Sequence, residues 1–160
     1  MRKHGLRLSV AALVISAALY SANGAFANPL SEKIGVAHTS GNYCLTNRPF
    51  LLEGAEQIRS LGSKVIKVFL QSPKRAYSFN SSWPENSDIP NIVDVLKTDY
   101  FKELFQMDFK TFILQSHLDT ADTFGWYDGL TDKEWWDIEQ HYYDAASYLF
   151  NTYSGRGLTF

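Results

Sequence analysis

Val68-Phe69-Leu70-Gln71-Ser72 and Phe112-Ile113-Leu114-Gln115-Ser116 are the two stretches that decide the fold. Each is an apolar run that ends on Gln-Ser, and Gln71 and Gln115 are 44 residues apart. The second run is entered through Lys110-Thr111-Phe112, and Leu158-Thr159-Phe160 repeats that entry 48 residues after Thr111. A strand–helix unit that recurs at this period predicts a parallel sheet with crossover helices.

Working outward, the first strand is expected over Lys33 to His38, the second over Lys64 to Gln71 and the third over Phe109 to His117. In the second, Ile66, Val68 and Leu70 share one face, and Val65, Lys67, Phe69 and Gln71 share the other. Asn47 is placed to cap a first helix with Pro49 in its opening turn, and Leu51, Leu52, Ala55, Ile58 and Leu61 recur at helical spacing. Gly62 is positioned to end it. Ile92, Val95 and Leu96 mark a second helical stretch, restarting at Thr98 or Asp99. Thr131-Asp132-Lys133-Glu134 spells a capping box. The long helix it opens has Trp135, Ile138, Tyr142, Ala145 and Leu149 as its expected buried stripe, and Gly155 or Gly157 as its stop.

The order predicted is therefore β-α-β-α-β-α-β. Helix-to-strand connections are short, as at Gly62-Ser63 and Met107-Asp108. Strand-to-helix connections are long and polar, and carry Trp83 and Trp126. Long loops on one side are the pattern of a (β/α)8 barrel, which works at the C-terminal ends of its strands. The fold class expected is α/β, the N-terminal half of such a barrel. Residues 28–160 would form a partial barrel domain truncated at strand four. An open doubly wound sheet is the competing architecture, but Gly41 stands alone, with no glycine-rich phosphate turn around it.

Residues 1–27 read as a secretory signal peptide. Arg2, Lys3 and Arg7 precede an apolar run from Leu8 to Leu19, and Ala25-Phe26-Ala27 gives the small-residue cleavage pattern. The expected destination is secreted or periplasmic, without a stable membrane anchor, because the apolar run is too short to span. Beyond it, 12 Lys+Arg stand against 17 Asp+Glu, a net charge of −5. That balance gives no nucleic-acid footprint. Cys44 is the one cysteine, so no intramolecular disulfide is expected; a partly buried small hydrophobe is the simplest role, and a catalytic thiol lacks any sequence feature that supplies its base. No cofactor is implied.

Two stretches resemble a known group. Phe50-Leu51-Leu52-Glu53-Gly54-Ala55-Glu56-Gln57-Ile58-Arg59-Ser60-Leu61-Gly62, running into Val65-Ile66-Lys67-Val68, is similar to the first helix and second strand of secreted (β/α)8 glycoside hydrolases. Tyr143-Asp144-Ala145-Ala146-Ser147-Tyr148-Leu149 with Tyr153-Ser154-Gly155 and Leu158-Thr159-Phe160 is similar to that group's third helix and fourth-strand entry. The resemblance implies a carbohydrate ligand. It also implies catalytic carboxylates on the fourth and a later strand, positions this sequence does not contain. No catalytic residue is assigned, and the chain is expected to be inactive alone.

The candidate ligand-binding residues are His38, Gln71, Gln115, His117, Asp119 and Trp126. Gln71 and, by the repeat, Gln115 and His117 are expected on the face toward the barrel axis, where amides and imidazole can meet sugar hydroxyls. The competing reading is that they bond one another. His38 ends the first strand, but its face is ambiguous. A metal held by His38, His117 and Asp119 lacks any paired-histidine motif. Trp126, between Gly125 and Gly129, can stack on a sugar ring, whereas loop aromatics such as Trp83 more commonly pin loops to the core. Asp119, Asp122 and Asp128 form an acidic loop without calcium-loop spacing.

Three functions follow: an exported carbohydrate-active enzyme present as its N-terminal part, a non-catalytic carbohydrate-binding module, or another barrel hydrolase, metal-dependent or phosphodiester-cleaving. Unpaired strand edges would also favour self-association.

Overall fold

The computed structural model describes residues 30–41, 43–84, 91–116 and 129–160. Residues 1–27, read as a signal peptide, lie outside the described residues. Three parallel strands form one sheet in the order β1 (Gly35–Ala37), β2 (Val65–Phe69), β3 (Thr111–Gln115). Between them run α1 (Phe50–Ser60), the one-turn α2 (Pro73–Ala76), α3 (Ile92–Leu96) and α4 (Asp99–Leu104), and α5 (Asp132–Tyr153) follows β3. The α/β character expected from the alternation is present. Each strand is shorter than its apolar run, and the stretch read as the entry to a fourth strand contributes a single parallel bridge, Thr111 with Thr159.

The sheet has two unlike faces. The register pairs Val36 with Ile66 and Ile66 with Phe112, so these side chains share a face with Val68, Leu70 and Leu114. Ile66, Val68, Leu70 and Phe112 are buried there against the helices. Gly35, Ala37, Val65, Lys67, Phe69, Ile113 and Gln115 share the opposite face, where Ile113 is 49% exposed. Gly35 suits this face because a Cβ would come within 2.7 Å of Val65 Cγ1.

Helix starts follow local chemistry, with one change. Pro49, not Asn47, is the N-cap of α1, and no side chain caps it. A proline there already has the extended backbone that a cap needs, at φ −52° and ψ 131°. Gly62 follows the C-cap Leu61 with φ +86°, the left-handed step read from the sequence. Asn91 caps α3 through its side chain, Thr98 is the N-cap of α4, and the Thr131–Glu134 capping box closes both ways. Ile138, Ala145, Leu149 and Tyr153 form the buried stripe of α5. Trp135 and Tyr142, expected in that stripe, are exposed. Burial begins at Ile138, so the first turn of α5 extends past the core. Trp83 does pin its loop: it is buried, and its Nε1 donates to the Tyr77 carbonyl at 2.8 Å.

Tyr77 sits where β1 and β2 part. His38 N–H donates to the Lys67 carbonyl at 2.8 Å, as a parallel ladder requires. The next rung would run from Phe69 N–H to the His38 carbonyl. Instead the Tyr77 hydroxyl accepts from Phe69 N–H at 2.9 Å and donates to the His38 carbonyl at 3.1 Å. Burial pushes its pKa up to about 12, so the hydroxyl keeps the proton it donates. Replacing Tyr77 with Phe leaves both backbone groups unsatisfied in a buried place. We expect Tyr77→Phe to cost about 1–3 kcal/mol, read as a lower urea midpoint with unchanged slope.

Candidate functional site

The inserted hydroxyl ends the β1–β2 ladder, and a cleft of about 270 Å³ lies just beyond it. Thr39 and Ser40 leave β1 on one side; Phe69, Gln71 and Ser72 leave β2 on the other. Ser72 takes a left-handed backbone, φ 43° and ψ 55°, which is costly for a residue with a Cβ. That turn directs the chain straight into α2, whose Arg75 and Ala76 complete the lining. The location, at the carboxyl ends of parallel strands, is where α/β proteins bind ligands.

The cleft is polar in a particular way. Its functional groups are the hydroxyls of Thr39, Ser40 and Ser72, the Gln71 amide and the Arg75 guanidinium, beside the ring of Phe69. Gln71 Oε1 is buried and has no hydrogen-bond partner. A buried acceptor without a donor carries a desolvation cost that a ligand hydroxyl or amide would remove. No ion pair to Arg75 occurs among the described residues. Lys67 Nζ lies 5.6 Å from the centre of the Phe69 ring, on the same open face of the sheet. Among the described residues, no carboxylate, imidazole or thiol lines the cleft. This set can bind and orient a hydroxyl-rich ligand. Among the described residues it holds no proton-transfer pair.

Of the residues proposed from sequence, Gln71 is in the cleft. Gln115 is on the same face of the sheet, half-buried, and does not line the cleft; its carbonyl accepts from Leu70 N–H at 2.8 Å. His117, Asp119 and Trp126, with Asp122 and Asp128, lie outside the described residues. Among the described residues, no group of three His, Cys, Asp or Glu side chains could hold a metal.

His38 belongs to the other face. It follows Val36 in parity and is buried between β1 and the start of α1. Its Nε2 lies 2.9 Å from the Phe50 carbonyl, so Nε2 carries the proton of the neutral ring. The ring sits edge-on to Phe50 and tilted to Tyr77, with centroids 5.1 and 5.0 Å away. Gly54 faces it, and any Cβ at Gly54 would collide with the imidazole. His38 therefore fixes α1 on β1 and does not reach the cleft. One turn away, Glu53 is also buried, and both its oxygens accept from Leu45 N–H at 3.1 Å. A hydrogen bond from the Thr46 side chain is the main cause holding the Glu53 carboxyl below its ordinary pKa.

Sequence reasoning missed Thr39, Ser40, Ser72 and Arg75. Their only signal is position, immediately after two strand ends. Glu53 was quoted within an amphipathic helix, with nothing to mark it as buried. No family model, no curated protein and no solved structure matches this chain.

Burial lowers the His38 pKa below its ordinary 6.5, outweighing the bonds that favour the charged form. A depressed histidine contributes stability that is complete above the unfolded value. That contribution declines as pH falls below about 6.5 and levels off once the folded value is passed. The Glu53 carboxyl adds a separate loss below about 4.5. Urea titrations across pH 7 to 4 should show the upper step in the native chain. In His38→Gln, which keeps a donor for the Phe50 carbonyl, that step should be absent.

Proposed function

We propose that the chain is the binding portion of an exported carbohydrate-active protein of barrel type, holding a neutral, hydroxyl-rich ligand at the C-terminal ends of β1 and β2. The observation that carries this reading is Gln71, which lines a polar cleft at parallel strand ends and whose buried amide oxygen has no hydrogen-bond partner. Phe69 offers an apolar ring beside it, the combination of flat surface and hydroxyl partners that suits a sugar. The open face of the sheet, with Lys67, Phe69 and Gln115, fits the inward side of a half-barrel. Glycoside cleavage needs two flanking carboxylates, and none lines the cleft among the described residues. Binding without turnover is the activity assigned to this chain.

Calorimetry of the full chain with cellotetraose, xylotetraose and chitotetraose tests this. At least one should bind, with no reducing ends released. Gln71→Ala should weaken binding about five- to tenfold, the scale of one ligand hydrogen bond, ~1 kcal/mol. Absence of heat with all three, or binding that Gln71→Ala leaves unchanged, would exclude the proposal; turnover would exclude its non-catalytic part.

A further inference from the structure

His38 is tied into the end of the sheet by its main chain and by its ring. Its N–H makes the last direct rung to β2, donating to the Lys67 carbonyl at 2.8 Å, and its carbonyl accepts from the Tyr77 hydroxyl at 3.1 Å. Its ring centre lies 5.0 Å from that of Tyr77, and Nε2 meets the Phe50 carbonyl at 2.9 Å. The next two residues, Thr39 and Ser40, form one wall of the cleft. Among the described residues, no backbone hydrogen bond ties that wall to β2. The imidazole that packs α1 on the sheet therefore belongs to the same residue as the last bond holding the cleft wall in place.

We propose that His38 is an acid-operated latch: a second proton on its ring frees its carbonyl from Tyr77 and loosens the Thr39–Ser40 wall of the cleft. His38 is 6% exposed, and a charged ring needs more solvation than that site gives. It cannot gain room toward α1. Gly54 closes that side so tightly that a Cβ there would fall 2.3 Å from Nε2. The end of β1 has no further rung beyond His38, so it is the part that can yield.

The groups facing the ring fix the sign. Burial disfavours the charged ring and outweighs the Phe50, Thr39 and Leu51 backbone groups and the Glu53 carboxylate of α1, all of which favour it. Glu53 is itself held below 4.5 and stays ionised in mild acid. The Tyr77 hydroxyl, pushed up to about 12 by burial, stays protonated. Lys67 of β2 turns its side chain to the other face of the sheet. Of these groups only His38 changes charge in mild acid. Because the closed form has the lower pKa, opening gains as pH falls below about 6.5 and the gain ends at the folded value. Acid then weakens whatever the cleft holds; that consequence rests on ligand binding there, and the latch itself does not.

Amide hydrogen exchange in the full chain, without ligand, reads the latch apart from the carbohydrate reading. Phe69 N–H, donated to the Tyr77 hydroxyl, reports the rung, and Leu70 N–H, donated to the Gln115 carbonyl at 2.8 Å, reports the rest of the sheet. Between pH 7.5 and 5.5 the protection factor of Phe69 should fall about three- to tenfold while that of Leu70 holds. His38→Gln should abolish the fall. Reciprocally, Tyr77→Phe should raise the His38 titration midpoint, followed by NMR, toward 6.5, because a ring already released has less to lose. Should His38→Gln not fold, the contrast between Phe69 and Leu70 and the Tyr77→Phe midpoint still decide. A flat Phe69 profile, equal losses at Phe69 and Leu70, a fall that persists in His38→Gln, or an unmoved midpoint in Tyr77→Phe would each overturn the proposal.

Discussion

The Tyr77 hydroxyl stands in for a rung of the β1–β2 ladder, and the candidate site depends on that substitution. A direct Phe69–His38 bond would carry the two strands onward side by side. With an oxygen inserted, each backbone group keeps a partner while the strands separate. The gap is stable because none of the polar groups is abandoned; a buried orphan would cost about 1–3 kcal/mol. Tyr77 is held in turn by its own packing. Its ring lies against His38 and Trp83, and Trp83 Nε1 bonds the Tyr77 carbonyl. The cleft is thus an outcome of how the strands end, with no dedicated binding motif behind it.

The same region explains why α1 must start where it does. His38 needs an acceptor for its buried N–H, and the Phe50 carbonyl in the first turn of α1 supplies it. Gly54, one turn along, has no side chain and lets the ring lie against the helix backbone. Glu53 then holds the backbone at Leu45, ordering the connection that leads from β1 into the helix. Two buried titratable groups serve packing here. Their neighbours satisfy them locally, and neither opens on the cleft. That is the physical ground for moving His38 from the binding residues to the scaffold.

How much of this the sequence disclosed depends on which residues carried the signal. The face shared by Ile66, Val68 and Leu70 was legible because three branched or bulky apolar residues alternate with Lys67 and Gln71. It placed Gln71 correctly on the open side. The parity of His38 was not legible, because β1 has only small residues, Gly35 and Ala37, on one face and gives no contrast. The Thr131–Glu134 box was legible as reciprocal chemistry within four residues. Trp135 was misplaced because periodicity locates a stripe but cannot say how far a helix extends past its core. Arg75 and Ser72 were hidden for a different reason. They reach the cleft through one left-handed turn at Ser72, a residue type that does not advertise positive φ as glycine does.

Parallel sheets are ordinarily covered on both faces. Here one face is sealed by helices and the other presents Lys67, Phe69, Ile113 and Gln115. Lys67 lies over the Phe69 ring, so part of that apolar surface is shielded by a cation that stays hydrated. Ile113 has no such cover. An aliphatic side chain half exposed at the centre of β3, on the strand whose outer edge is only partly paired among the described residues, concentrates apolar area and backbone groups without partners in one place. Both requirements are met at once by further β structure next to β3. Added sheet supplies amide partners along the edge and, by its twist, begins to curve over the open face. The cleft lies at the far side of the sheet, against β1 and β2, where the ladder has already ended. The cleft and the partly paired outer edge of β3 therefore lie at opposite borders of the same three strands.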